Sequence, residues 1–359
     1  MVELDRILES IHEWHERGID FALATVIGVR GSTYRGLAAR QLVAADGSGV
    51  GTVSGGCLDQ DLTAVARRVM ETGQVAEVEF DLTADDEAIW GWGIGCNGAT
   101  RLLVEPASSA VDLADRVADI RAQQRPTVIV HSLRPDSLGE RGYVSAARHG
   151  GDVSTSVIQA ARAALDEGWH RLFDAGGGES VLLEVVGAPS RLIVCGAGHD
   201  AVPVVRYGAE LGFEVSVVDD RRQFLTEDRF PEAAHLICAQ PADLRSVVET
   251  DHRTYVVLMS HNYLRDLDYL RSVLGTDVAY IGALGPGARL ERLLSDLAAG
   301  GVEVSESDLA KLHGPAGLDV GAEGPNEIAW TIMAEILAVR RHRTGGSLRK
   351  RKGPKSMRV

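Results

Sequence analysis

The stretch Arg191-Leu192-Ile193-Val194-Cys195-Gly196-Ala197-Gly198-His199-Asp200-Ala201 decides the fold of the carboxyl-terminal part of this 359-residue chain. Its apolar start predicts a buried strand, and the Gly-x-Gly-x-x-Ala turn that follows opens a helix over 200–211. Gly196 allows the tight turn, Gly198 admits a pyrophosphate to the backbone, and Ala201 lets the helix pack against the strand.

The chain beyond this turn continues the pattern of a nucleotide-binding fold. A second strand, 213–218, leads into Asp219, about 20 residues after the turn, where an acidic side chain holds a ribose hydroxyl in many such folds. Strands at 254–259 and 278–281 then alternate with helical segments, which predicts a parallel sheet with helices on both faces. This order indicates a Rossmann fold but does not identify its ligand. His199 either touches a ligand phosphate or caps the turn.

Two further loops follow strands at the sheet edge where open α/β folds bind ligands. Met259-Ser260-His261-Asn262-Tyr263 is the first and 280–286 is the second, and both are alternatively explained as helix entry and turn formation. The glycine-rich stretch 313–323 is expected to close over the same crevice.

The first half of the chain predicts a mixed α/β domain. An amphipathic helix precedes Gly18, a strand covers 21–29, and a hairpin turns at Asp46-Gly47. A second amphipathic helix starts near Leu58, and α/β segments continue to a strand at 180–186. We expect domains at 1–187 and 188–343, followed by a basic disordered tail at 344–359. The sequence shows no internal repeat.

Two cysteines lie in glycine-rich turns, Val53-Ser54-Gly55-Gly56-Cys57 and Gly93-Ile94-Gly95-Cys96-Asn97-Gly98. Cys57 precedes a helix, whose free N–H groups favour a thiolate, and Gly55 and Gly56 let a ligand approach the backbone. The alternative is a buried structural cysteine. Cys96 follows a loop with two tryptophans, and its alternative is a plain turn.

The remaining cysteines and a basic loop complete the candidates. Cys195 and Cys238 end or lie in apolar runs and are expected in the core. Arg30 and Arg35 flank Gly31-Ser32-Thr33-Tyr34, and together they predict an anion clamp, because arginine binds phosphate bidentately. Solvated loop charge is the alternative.

Composition excludes several classes of protein. The net charge is −14, although the residues from Arg340 onward carry only basic charges. An acidic body of this kind repels nucleic acid and anionic lipid, and no apolar run suits a membrane span. The four cysteines form neither a disulfide framework nor a zinc pattern. A cytoplasmic protein without a structural metal site is therefore expected. The chain also lacks a Ser/His/Asp triad, an HExxH motif and a P-loop.

These motifs resemble, in order, those of the XdhC/CoxI family. The amino-terminal signature corresponds to 31–36 and 51–59, and the second block to 80–98. The Rossmann half is matched by 196–201, 259–263, 280–286 and 314–323. Three positions depart from the common pattern, namely Thr33-Tyr34, Asp59 and Asn97.

The resemblance implies an accessory protein for molybdenum hydroxylases such as xanthine dehydrogenase or carbon monoxide dehydrogenase. Such a protein binds the molybdenum cofactor, works with a cysteine desulfurase in its sulfuration, and delivers it to the client enzyme; a homodimer is expected. The pterin, as molybdopterin or its dinucleotide, would lie between the domains, with Cys57 and Cys96 near molybdenum or sulfur. Its phosphate would lie at Gly198 or at the Arg30/Arg35 loop. The alternatives are an NAD(P)-dependent oxidoreductase with His261 or His199 as proton donor, and a docking adaptor.

Overall fold

The computed structural model describes residues 2–81 and 98–350. These residues divide into an N-terminal unit, 3–188, and a C-terminal unit, 189–350. The predicted fold class, a mixed α/β part followed by a Rossmann-like parallel sheet, is confirmed.

The first half of the N-terminal unit pairs an antiparallel sheet with two helices. Its elements are α1 (Val2–Glu16), β1 (Phe21–Gly31), β2 (Arg40–Ala44), β3 (Gly49–Gly51), α2 (Asp59–Thr72), β4 (Ala76–Asp81) and β5 (Gly98–Pro106). The predicted hairpin at Asp46-Gly47 is the antiparallel β2–β3 pair. Apolar side chains of β1 and β5 are buried against α2 because β1 and β5 are the inner strands of the sheet.

The second half repeats the element order of the first. Its elements are α3 (Ala107–Ala122), β6 (Thr127–Ser132), β7 (Arg141–Ser145), β8 (His149–Gly150), α4 (Thr155–Glu167), β9 (Arg171–Asp174) and β10 (Ser180–Val186). Within the described residues of the N-terminal unit, the two five-stranded sheets have the orders β3-β2-β1-β5-β4 and β8-β7-β6-β10-β9. The expectation of no internal repeat is therefore wrong at the level of structure.

Strand register shows that the two halves match residue by residue. Arg40 on β2 lies opposite Thr25, and Arg141 on β7 lies opposite His131. In the same way Glu105 on β5 lies opposite Leu23, and Glu184 on β10 lies opposite Ile129. Both strand pairs therefore place one arginine and one glutamate at matching positions.

The matching charges pair across the two halves rather than within them. Arg40 donates to Glu184 through two hydrogen bonds of 2.7 and 2.5 Å, and Arg141 donates to Glu105 at 2.5 Å. None of these four side chains is more than 6% exposed. We call these two contacts the crossing pairs. Because a buried ion that loses its partner is strongly destabilising, breaking either crossing pair should disfavour this packing of the halves.

The crossing pairs differ in their hydrogen bonds: Arg40 donates two to Glu184, Arg141 donates one to Glu105, and only Glu184 also contacts a histidine. His131 Nε2 lies 2.8 Å from Glu184 Oε2, whereas the matching Thr25 Oγ1 and Glu105 Oε2 have no partner among the described residues. Burial alone would raise the pKa of Glu184, but the Arg40 guanidinium and the bond from His131 hold it well below its usual range.

The C-terminal unit is a six-stranded parallel sheet over the residues described from 189 to 350, in the order β13-β12-β11-β14-β15-β16. The strands are β11 (Arg191–Cys195), β12 (Glu214–Asp219), β13 (His235–Cys238), β14 (Thr254–Leu258), β15 (Tyr280–Ala283) and β16 (Leu312–His313). The helices are α5 (Ala201–Glu210), α6 (Leu244–Val247), α7 (Tyr263–Val273), α8 (Gly287–Ala299), α9 (Glu306–Leu309) and α10 (Gly324–Arg340). Short 3-10 helices lie at Arg222–Phe224, Pro241–Asp243 and Leu348–Lys350.

Separate apolar clusters cover the two faces of this sheet, as expected when both faces carry helices. The strand order reverses between β11 and β14. Ligands of open α/β sheets bind at the carboxyl ends of the strands at such a reversal, so the fold itself points to the turn after β11.

Candidate functional site

A pocket in the N-terminal unit lies where the loop that holds Cys57 meets the loop between Arg30 and Arg35. It is lined by Ser32, Thr33, Tyr34, Val53, Ser54, Gly55, Cys57, Leu58, Gly98 and Thr100. The end of β1, the start of β5 and the connection from β3 to α2 meet here. We call it the Cys57 pocket.

Gly98 is a pocket-lining residue at a position where no larger residue fits. A Cβ on Gly98 would lie 2.4 Å from the carbonyl oxygen of Arg30 and 2.8 Å from that of Ser32. The backbones of β1 and β5 are thus in direct contact at Gly31 and Gly98, which the antiparallel register also pairs. The glycine is required by this close approach rather than by an unusual φ angle.

The Cys57 thiol is solvent-exposed. The alternative interpretation of Cys57 as a buried packing residue is therefore wrong. Cys57 lies just before Leu58, the N-cap of α2, and Leu58 supplies no side-chain hydrogen bond to the helix. The first N–H groups of a helix lack intrahelical partners, so the α2 N-terminus keeps uncapped donors beside an accessible thiol.

Two neighbours shape the loop around this thiol. Ser54 Oγ accepts a hydrogen bond from the Gly56 N–H at 3.0 Å and donates to Asp59 Oδ1 at 3.5 Å. The Tyr34 side chain is 64% exposed, and its ring lies 3.9 Å from where a Cβ on Gly55 would be. An exposed aromatic face beside a glycine backbone suits the stacking of a flat heterocycle.

The two arginines of the predicted anion clamp are paired with acidic side chains in this structure. Arg30 donates to Asp81 at 2.7 Å and to Glu79 at 3.4 Å, and Arg35 donates to Glu3. Phosphate binding by these arginines stays a prediction, and it would require exchange of a carboxylate for the ligand. Cys96 lies outside the described residues.

The glycine turn of the C-terminal unit has the geometry that its sequence predicts. Gly196 has φ of 121°, and a Cβ there would lie 2.7 Å from the Met259 carbonyl oxygen. The turn after β11 therefore packs directly on the chain that leaves β14. Only glycine satisfies both the backbone angle and this contact.

Asp219 is fully occupied by hydrogen bonds. Its Oδ1 accepts from Arg221 N at 2.8 Å and from Arg221 Nε at 2.9 Å. Its Oδ2 accepts from Ala197 N at 2.7 Å and from Arg221 Nη2 at 2.8 Å. Burial opposes ionisation, but these bonds from Arg221 and Ala197 lower the pKa of Asp219 to about 2. In this structure Asp219, the residue predicted to accept from a ribose hydroxyl, accepts hydrogen bonds from the glycine turn and from Arg221 instead.

The two candidate histidines differ in their contacts. His261 has φ of 55°, uncommon for a residue with a side chain, and its Nε2 lies 2.6 Å from Asp200 Oδ2. His199 is exposed. The His261–Asp200 pair joins the turn after β11 to the loop after β14, and Gly198 lies beside both side chains. Binding of a cofactor by Gly196, Gly198, His199 and His261 stays a prediction.

A carboxylate on α10 anchors the loop after β16. Glu335 Oε2 accepts from Tyr280 Oη at 2.6 Å and from the Gly317 N–H at 2.9 Å, and Oε1 lies 3.2 Å from His313 Nδ1. This network positions the glycine-rich stretch expected to close over the crevice.

Sequence reasoning missed the roles of Arg221 and Arg229. Arg229 donates to the Ala197 carbonyl oxygen at 3.0 Å, and both guanidinium groups lie against the Phe224 ring. The sequence feature that could have indicated this cluster is the pair Arg221-Arg222, which directly follows Asp219 and Asp220. The expectation that Cys238 is in the core is also wrong, because β13 is an edge strand and the thiol is exposed, whereas Cys195 is buried as predicted.

Neither a metal cluster nor a membrane span occurs in the part of the chain that the structure describes. No group of three or more histidine, cysteine or acidic side chains within 2–81 and 98–350 is placed to hold a metal ion. In the same residues, every helix is too short or too polar to span a bilayer.

Comparison with protein families matches both halves of the chain. Residues 14–81 match the model of the XdhC and CoxI family, and residues 192–336 match the XdhC Rossmann domain. Together the two matches span more than half of the sequence, in the order that the motifs predict. The chain belongs to the XdhC/CoxI family. The resemblance inferred from the motifs is confirmed.

Relatives of this XdhC/CoxI protein match nearly its whole length. A Bacillus subtilis (strain 168) protein, named as one of the subunits of a probable xanthine dehydrogenase, is 29% identical over 93% of this chain and 97% of its own. The Escherichia coli K12 molybdenum cofactor insertion chaperone PaoD is 22% identical, over 89% and 83%. A Bacillus halodurans crystal structure, described as a xanthine dehydrogenase, superposes with a TM-score of 0.78 at 28% identity, covering 95% and 98% of the two chains.

Proposed function

We propose that this protein is an accessory factor that binds the molybdenum cofactor, assists its sulfuration and delivers it to a molybdenum hydroxylase. The client would be of the xanthine dehydrogenase or carbon monoxide dehydrogenase type. A cytoplasmic location follows from this role, and a cysteine desulfurase is the expected sulfur donor.

The observation that carries the proposal is the Cys57 pocket. It combines an accessible thiol, an uncapped helix N-terminus and an exposed tyrosine ring around a glycine backbone. A molybdopterin has three chemically distinct parts, a metal with soft sulfur ligands, a flat pterin and a phosphate. A thiolate suits the metal or a transferred sulfur, an aromatic face suits the pterin, and helix N–H groups suit the phosphate.

The residues of this chain would then bind and shield the cofactor, which supplies the redox chemistry only within the client. Cys57 would contact molybdenum or hold sulfur, and Cys96 would share this role. Gly55 and Gly56 would let the ligand reach the backbone. The names of the relatives support the same role, since one is a molybdenum cofactor insertion chaperone and another is named as part of a xanthine dehydrogenase.

The test is retention of pterin by protein purified from a molybdenum-replete host. We expect stoichiometric molybdenum and oxidised-pterin fluorescence in the wild type, and loss of both in Cys57→Ala and in Cys57→Ala/Cys96→Ala. Cys238→Ala is the matched control, because Cys238 is also an exposed free thiol but lies in the other unit. Equal pterin in the Cys57→Ala and Cys238→Ala proteins would contradict the role of Cys57.

Further measurements separate the alternatives. Sulfur transfer from a purified cysteine desulfurase to the bound cofactor, followed by activation of a client hydroxylase, tests sulfuration and delivery. NADH or NADPH turnover without pterin would favour the NAD(P)-dependent oxidoreductase with His261 or His199. Co-purification of a client without pterin or turnover would favour the docking adaptor. Light scattering would report whether the protein is the predicted homodimer.

A further inference from the structure

The end of β12 carries a cluster of arginines that the proposed pterin role does not use. Arg221 and Arg229 place their guanidinium carbons 4.5 and 5.2 Å from the centre of the Phe224 ring. Arg222 is exposed in the same 3-10 helix as Phe224. Stacking on one aromatic ring holds the two guanidinium groups in fixed positions.

This cluster lies where a Rossmann fold holds the adenosine ribose. Asp219 bonds to the Ala197 N–H and Arg229 bonds to the Ala197 carbonyl, so both are attached to the glycine turn itself. In dinucleotide-binding sheets the pyrophosphate lies on that turn, and the ribose lies at the end of the second strand of the fold. Here the second strand is β12, next to β11 in the sheet.

The usual means of recognising an unmodified ribose is blocked. A carboxylate has about four lone-pair sites, and each oxygen of Asp219 already accepts two hydrogen bonds. The next acid, Asp220, accepts from Arg265 through Oδ2 at 3.0 Å, and its Oδ1 is buried without a partner among the described residues. Neither acid therefore presents an accessible carboxylate oxygen to the ribose hydroxyls, as an NAD-type site requires.

The available groups at this position are cationic. The Arg221 side chain is 29% exposed, and Arg229 is half-buried. Glu227 and Asp228 lie exposed in the same connection, so the preference rests on the location of the guanidinium groups rather than on the summed charge. Guanidinium groups beside the ribose are the arrangement that accommodates a 2′-phosphate.

We propose that the C-terminal unit binds a dinucleotide whose adenosine ribose carries a 2′-phosphate, with Arg221 and Arg229 contacting that phosphate. The residues of this site all belong to the C-terminal unit, and the proposal does not depend on pterin binding. Asp219 acts as a positioning residue, because it orients Arg221 and fixes the glycine turn.

The test is calorimetric titration of the full-length protein with NADP⁺ and with NAD⁺ at one salt concentration. We expect NADP⁺ to bind about tenfold tighter or more, since the additional phosphate would form charge-assisted bonds to two guanidinium groups. Free 2′,5′-ADP should compete with NADP⁺, and 3′,5′-ADP should compete poorly. Equal or tighter binding of NAD⁺, or no binding of either dinucleotide, would overturn the proposal, and neither result needs a variant.

Variants locate the phosphate contact. Arg221→Ala and Arg229→Ala should each lower NADP⁺ affinity without lowering NAD⁺ affinity, so that the preference disappears. Arg206→Ala is the matched control, because Arg206 lies on α5 and contacts Tyr207 and Asn326 instead. A preference for NADP⁺ that survives both cluster variants would show that the phosphate binds elsewhere. Pterin retention measured on the same proteins keeps this outcome separate from that of the proposed function.

Discussion

The two halves of the N-terminal unit share one architecture but carry different loops. The connection from β3 to α2 spans 52–58 and holds Cys57, whereas the matching connection from β8 to α4 spans only 151–154. The connection from β4 to β5 spans 82–97 and holds Cys96, whereas its counterpart spans 175–179. Both cysteines thus fall in the two connections of the first half that exceed their counterparts by the most residues.

The helices after these loops differ in a related way. Ser154 caps α4 by accepting a hydrogen bond from the Val157 N–H, whereas Leu58 gives α2 no such cap. The second half satisfies its helix end with its own side chain, and Leu58 gives the first half no such side-chain cap. Under the proposed function, core strands would hold both copies while the loops of the first half bind the ligand.

The largest expected effect tests whether the crossing pairs are equivalent. Arg40→Met and Arg141→Met should each lower the free energy of unfolding by about 3–5 kcal/mol, because each leaves a buried glutamate without its cation. Urea denaturation would measure both. Arg116→Met, which breaks an exposed pair with Asp112, should cost less than about 1 kcal/mol and serves as the control. Unequal losses of unfolding free energy in Arg40→Met and Arg141→Met would show that the two crossing pairs do not contribute equally to stability.

Lowering the pH should reduce the difference in stability between the wild type and Arg40→Met. The pKa of Glu184 is lowered in the folded state, so its stabilisation is complete above about pH 4.3 and is lost as pH falls through the folded-state pKa. Thermal unfolding followed from neutral to acid pH would show whether the difference in Tm shrinks. A difference that grows on acidification would contradict the assignment of an ionised Glu184.

The next effect concerns the hydrogen bond between His131 and Glu184, which has no counterpart in the first half. His131→Thr should make the second half resemble the first and cost about 1.5–3 kcal/mol, since it removes a buried hydrogen bond to a charged group. The matched control is Thr25→Val, whose lost hydroxyl has no partner among the described residues and should cost almost nothing. Equal costs in urea denaturation would mean that the bond contributes no stability.

A smaller effect separates two glycines that lie near the starts of β5 and β10. Gly98→Ala should cost about 1–3 kcal/mol through overpacking against the Arg30 carbonyl, and it should also abolish pterin retention. Gly177 has φ of 64° but open space around it, so Gly177→Ala should cost about 1 kcal/mol and leave pterin bound. Pterin loss in both variants would indicate a general fold defect rather than a pocket defect.

The smallest effect concerns the two helix entries. Ser154→Ala should cost about 1 kcal/mol because it removes the cap of α4. Cys57→Ala should change stability by less than about 0.5 kcal/mol, since the thiol is exposed. Thermal unfolding measures both variants. A stability loss in Cys57→Ala as large as that in Ser154→Ala would assign Cys57 a structural role.

Much of the fold is readable from local pattern. The strands 180–186 and 191–195 have the predicted bounds, and the Asp46-Gly47 turn forms the predicted hairpin, because turn residues and apolar runs act locally. The duplication is not readable in this way. Matching core positions hold different residues, such as Thr25 and His131, so the preserved quantity is strand register rather than identity.

The candidate sites were likewise predictable only where the local sequence determines them. Glycine spacing located the turn at Gly196 and the loop at Cys57 because glycine is required by local backbone geometry. The acceptor sites of Asp219 are filled by the Arg221 side chain and by the Ala197 N–H in the turn after β11. Sequence spacing predicts neither hydrogen bond. Pairs such as Arg40 with Glu184 join residues far apart in sequence, so no spacing rule reveals them.

The crossing pairs have the reciprocity of an isologous dimer, in which each protomer offers the same patch to the other. Two separate copies of one half, each bearing one arginine and one glutamate, would form both contacts at once about a two-fold axis. Here β5 ends at Pro106 and α3 begins at Ala107, so the copies are fused without a spacer. Fusion makes their association independent of protein concentration. It also allows the two halves to differ, since a loop present in one copy is not imposed on the other.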